Sequence, residues 1–101
     1  MTHGITFRHT PPSEAIKEHI IGKLQKLEKY LIKPNGVHVI LTVDKSRHTA
    51  EFLLSENGHQ FTAKEEGHDM YLSVDGALHR LEHQLKKYKE KVKDHKKTPL
   101  L

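Results

Sequence analysis

The stretch Asp69–His95, DMYLSVDGALHRLEHQLKKYKEKVKDH, decides how the chain is read. Met70, Val74, Leu78, Leu81, Leu85, Tyr88 and Val92 recur at spacings of three and four, which a helical period gathers into one apolar stripe. The spacing predicts a long helix with a single buried seam. Arg80, Gln84, Lys87 and Lys91 then fall on one flank of the seam, and Asp75 and Glu82 fall on the other beside Lys86 and Lys93. A helix that needs only solubility alternates its signs for i,i+4 pairing, as Glu82 and Lys86 do. The Arg80 flank lacks such partners along the helix, so it is expected to stay unpaired and to face a polyanion.

Upstream of this helix, Asp69 is suited to cap it. Ala50, Phe52 and Leu54 alternate with Thr49 and Glu51, Asn57-Gly58 suits a tight turn of positive φ, and Phe61 and Ala63 mark a return strand ending near Gly67. Before a polar turn at Asp44–Arg47, the apolar odd positions Val37, Val39, Leu41 and Val43 predict a central strand. An earlier helix is predicted from about Glu14 to Ile32, capped by Ser13, with the seam Ile16, Ile20, Leu24, Leu27 and Leu31. Lys23, Lys26, Lys29 and Lys33 trail along one side of it, while Glu14, Glu18 and Glu28 lie away from them. Gly22 costs this helix about 1 kcal/mol relative to alanine, for which close packing or backbone approach is the available reason. Pro34, Asn35 and Gly36 are expected to stop the helix and turn the chain. At the N-terminus, Ile5 and Phe7 alternate with Thr6 and Arg8 in a short strand that Pro11 and Pro12 end.

The order β-α-β-β-β-α, with one apolar face per strand and one seam per helix, is that of an α+β two-layer sandwich: a four-stranded sheet with two parallel helices on one face. A right-handed crossover makes the first two strands parallel, and hairpins make the others antiparallel. One basic flank is expected to line the groove between the helices and the other to border it, giving the helical layer a nearly continuous basic surface. The opposite sheet face carries His38, Ile40, Thr42, Glu51 and Leu53. Residues 1–95 are expected to form a single domain and 96–101 a short flexible C-terminal tail.

A chain of 101 residues has room for one core, and at 35% hydrophobic residues with a mean hydropathy of -0.70 the core is small and the surface polar. The net charge of +4 is concentrated: residues 79–97 hold eight Lys or Arg against three acids, leaving nine against ten elsewhere. Such a patch suits nucleic acid or anionic lipid. Without cysteine there is neither a disulfide framework nor a thiolate metal site. No window approaches the roughly 18 apolar residues of a membrane span, so a soluble cytoplasmic protein without a membrane partner is expected.

Several motifs then occur in one order: Lys23-Leu24-Gln25-Lys26-Leu27-Glu28-Lys29-Tyr30, the hairpin around Arg47-His48, His68-Asp69-Met70-Tyr71, and Leu81-Glu82-His83-Gln84-Leu85-Lys86-Lys87. Together they resemble the short ribosome hibernation-promoting factors, the family that includes ribosome-associated inhibitor A, over roughly residues 4 to 93. The resemblance implies a sandwich similar to a double-stranded-RNA-binding domain. It also implies a protein that binds the small ribosomal subunit and its rRNA in the mRNA and tRNA decoding channel, silencing idle ribosomes in stationary phase or stress. By the same resemblance the RNA-facing residues correspond to Lys23, Lys26 and Lys29 on the first helix and to Arg80, Lys87 and Lys91 on the last, overlapping the flanks found from charge. His83 stands where the family usually has arginine, and Ser73 where it usually has alanine. Gln84 and Lys86 complete the expected surface. The protein is expected to be a monomer off the ribosome, with a second, ribosome-dimerising factor left open as a partner.

The mechanism so implied is occupancy, with no cofactor and no enzymatic step. His79 and His83 have the i,i+4 spacing that can place two imidazoles on one metal, but no third ligand stands at supporting spacing, and no metal is expected. No nucleophile elbow, phosphate-cradling glycine loop or paired-carboxylate motif is present. Tyr30 and Tyr71 could stack on a base, yet a tyrosine beside a helix seam is more often part of the core. The alternative function is a generic basic module that binds double-stranded RNA or a protein without inhibiting translation.

Overall fold

The computed structural model describes residues 2–97, with the side chains of all of these except 34, 35 and 93–97. Seven elements follow one another: β1 (Thr2–Arg8), α1 (Glu14–Leu27), a 3-10 turn (Glu28–Tyr30), β2 (Pro34–Asp44), β3 (Arg47–Glu56), β4 (His59–Gly67) and α2 (Met70–Lys97). The sheet order is β1-β2-β3-β4, with β1 parallel to β2 and the other neighbours antiparallel. Contacts between the helices advance together, from His19 with Asp75 to Lys29 with Lys89, so the helices run parallel. This is the α+β sandwich expected from the sequence.

Both helix starts carry the expected caps. Ser13 Oγ accepts from Ile16 N at 3.2 Å and Asp69 Oδ1 from Leu72 N at 3.0 Å, each satisfying an amide with no partner inside its helix. The seams bury as their spacing requires: Ile16, Ile20, Leu24 and Leu27 from α1, and Val74, Ala77, Leu78, Leu81 and Leu85 from α2, pack with Val39, Leu41, Phe52 and Leu54 of the inner strands. Met70 and Val92, at the two ends of the second seam, are half-buried. Asn57 and Gly58 take φ values of 47° and 79°, the left-handed pair that a two-residue hairpin between β3 and β4 needs. The open sheet face carries exposed His38 and half-buried Ile40, Thr42, Glu51 and Leu53.

Three expectations change. The first helix stops at Leu27 and tightens into the 3-10 turn instead of reaching Ile32. The cause lies on another element: the fully buried Glu56 carboxylate accepts from Ile32 N at 2.8 Å and from Lys33 N, taking two amides that an α-helix would have turned inward. Asn57 N donates to Lys33 O at 3.1 Å, fixing the same corner. Chain reversal is therefore finished by residue 33, and Pro34, Asn35 and Gly36 open β2 instead of forming the turn. At the other terminus α2 runs to Lys97, past the expected boundary at 95; residues 98–101 of the expected tail lie outside the described residues.

The third change concerns Gly22. A Cβ built there meets nothing within 4 Å, so neither close packing nor backbone approach explains the glycine. Gly22→Ala is expected to stabilise the protein by about 1 kcal/mol through helix propensity alone, raising the thermal midpoint by roughly 5 °C, as calorimetry would measure.

The buried Tyr88 phenol is pushed above its ordinary range, first by burial and then by the neighbouring Glu56 carboxylate. The folded state therefore holds the phenolic proton more tightly than the unfolded chain. Between the unfolded and folded values the native state binds more protons, so stability falls as pH rises. Denaturant midpoints are expected to decline from about pH 10 upward, and the decline should be shallower in Tyr88→Phe.

Candidate nucleic-acid interface

The crossover places α1 toward β1, with Lys17 Nζ 5.9 Å from the Phe7 ring centroid, and α2 over β3 and β4. A groove of about 310 Å³ lies between the helices, lined by Lys23, Lys26 and Leu27 of α1 and by Asp75, Leu78, His79 and Glu82 of α2. The basic flank of α1 thus lines the groove as expected. Facing it is the acidic flank of α2, so the helical layer is not the nearly continuous basic surface predicted. Its carboxylates are occupied locally: Asp75 Oδ1 accepts from His19 Nε2 at 2.7 Å, and Glu82 Oε1 lies 4.0 Å from Lys86 Nζ. Lys23 and Lys26 are exposed and form no ion pair among the described residues.

The other flank of α2 turns away from α1, over β4. Arg80 Nε donates to Glu65 Oε2 at 2.9 Å, and Gln84 Nε2 donates to Thr62 O at 2.8 Å. The expectation that Arg80 has no partner is therefore corrected. Its carboxylate comes from a strand, where helical spacing could not reveal it. Gly76 makes room for that carboxylate, since a Cβ there would stand 2.8 Å from Glu65 Cγ. With its side chain 61% exposed, Arg80 remains largely in solvent, but as part of a pair in high dielectric. Lys87, Lys91 and His83 are exposed and have no ion pair among the described residues. Lys93, expected on the opposite flank, lies outside the described side chains.

A third cluster joins the helices at the end of α1. Lys29 Nζ stands 5.2 Å and Lys86 Nζ 6.0 Å from the Tyr30 ring centroid. Lys89 Nζ donates to Lys29 O at 2.5 Å. Lys89 escaped sequence reasoning because its partner is a backbone carbonyl, which no charge pattern marks. His19 escaped it too, although it packs edge-on against Tyr71 at 5.2 Å and ties the helices through Asp75. No cluster of three or more potential metal ligands occurs among the described residues.

The described surface thus offers exposed cations on two parallel, mutually tied helices. The family model for the Sigma 54 modulation protein / S30EA ribosomal protein matches residues 4–93. The chain belongs to that family. Among relatives of this S30EA-family chain, a Ribosome hibernation promoting factor of Escherichia coli K12 is 40% identical over 95 residues, covering 94% of this chain and all of the relative. A protein of the same name from Pseudomonas putida is 32% identical over 91 residues, covering 90% and 89%. A solved ribosomal subunit interface protein from Coxiella burnetii superposes with a TM-score of 0.79 at 28% identity, over 89% of this chain and 99% of that one. The N-terminal domain of Thermus thermophilus Protein Y gives 0.78 at 26% identity, over 87% and 99%.

Proposed function

We propose that this S30EA-family protein is a ribosome hibernation factor. It occupies the mRNA and tRNA decoding channel of the small subunit in the cytoplasm of stationary-phase or stressed cells, and blocks translation by occupancy without an enzymatic step. The reading is supported by the names of relatives that match over their whole length and, above all, by Lys23, Lys26, Lys87 and Lys91, exposed and without an ion pair among the described residues on two parallel helices. Lys29, Lys86, His83 and Gln84 extend that surface, and Arg80 contributes its largely exposed side chain beside Glu65.

Ammonium groups that neutralise phosphates release condensed counterions, so affinity should fall with salt by a log–log slope of about -0.7 to -0.9 per contact. Backbone geometry positions such a surface without reading sequence. The decisive experiment is a sucrose gradient at low salt followed by translation in a reconstituted system. Co-sedimentation with small subunits and loss of translation are expected. Binding to free duplex RNA without either effect would instead identify a generic RNA-binding module.

A further inference from the structure

The cluster at the end of α1 has a composition that phosphate neutralisation alone does not require. Tyr30, Lys86, Lys89 and Glu90 line an open recess of about 190 Å³, enough for one base. Tyr30 is half-buried against the core, so its ring is held in place, and ammonium groups stand over it. The Lys89 ammonium is anchored on Lys29 O and retains donors for a second partner. Glu90 is an exposed carboxylate among these lysines. A site for phosphate alone gains nothing from it, since it repels the ligand. A nucleobase changes the account: the ring offers a stacking face, the lysines take the flanking phosphates, and the carboxylate accepts from ring and exocyclic N–H groups.

We infer that the recess formed by Tyr30, Lys86, Lys89 and Glu90 is a subsite for a single unpaired guanosine of RNA. Guanine is favoured because its N1–H and N2–H₂ lie on one edge and can both donate to a carboxylate, whereas uracil offers a single such donor. Stacking displaces the flexible Lys29 or Lys86 stem from the ring, and the released ammonium moves to the phosphate. The subsite rests on the RNA-binding reading above and adds base discrimination to a surface otherwise directed at the backbone.

The test uses the full chain and two short labelled oligouridines, one carrying a central guanosine, compared by fluorescence anisotropy. The guanosine oligomer should bind about tenfold more tightly, the size of one stacked and hydrogen-bonded base. Tyr30→Phe should keep the preference and Tyr30→Leu should lose it. Because Tyr30 also supports the core, the surface variant Glu90→Ala provides an independent arm. It should erase the preference for guanosine while leaving oligouridine binding equal or stronger. Equal affinity of the two oligomers for the unaltered protein, or a preference that survives Glu90→Ala, overturns the subsite. Ribosome co-sedimentation run in parallel separates the two conclusions: a protein that co-sediments yet shows no guanosine preference loses the subsite alone.

Discussion

Lys23, Lys26 and Lys87, reversed together to glutamate, are expected to weaken ribosome binding at low salt by a hundredfold or more and to flatten its salt dependence by about three units of log–log slope, roughly one per phosphate contact removed. All three are exposed and carry no ion pair among the described residues, but Lys23 and Lys26 line the groove opposite Asp75 and Glu82, so the same three positions changed to glutamine separate lost phosphate contacts from repulsion across the groove. Circular dichroism should show an unchanged fold, and sedimentation with small subunits at graded salt reads the slope. Arg80 is left out deliberately. Glutamate there would meet Glu65, the present partner of its Nε at 2.9 Å, and lost binding could then arise from a disturbed α2–β4 contact. Full binding by the triple variant would detach the function from this helical layer.

Glu56→Ala is expected to cost about 3 kcal/mol, because two part-buried backbone amides lose a charged acceptor and the buried side chain leaves a gap. Glu56 is fully buried, and its Oε1 takes both Ile32 N and Lys33 N, the bonds that end the first helix and aim β2. The thermal midpoint should fall by roughly 15 °C. Glu56→Gln, which keeps a neutral acceptor, should retain part of that loss. A cost within about 0.5 kcal/mol, the range of ordinary surface changes, would mean that Ile32 and Lys33 find other acceptors and that the corner closes without the carboxylate. Chemical denaturation of the two variants beside the unaltered protein distinguishes these outcomes.

Glu56 also marks the limit of what periodicity can reveal. Helix seams, alternating strands, both N-caps and the Asn57-Gly58 turn follow from local rules: each depends on residues within a few positions of one another, and their order leaves one economical two-layer arrangement. The sorting of charge onto helix flanks is equally local, and Lys23, Lys26, Lys87 and Lys91 could be found from it. Contacts between elements are not so encoded. The end of α1 is set by a carboxylate 23 and 24 residues away, Arg80 is paired by one 15 residues away, and Lys89 is held by a carbonyl 60 residues away. Sequence alone therefore determined the elements, their topology and which side of each helix is cationic. Only the tertiary structure decided which of those cations remain free, because pairing depends on what a neighbouring strand or helix brings within 3 or 4 Å, and spacing along one chain segment carries no trace of that distance.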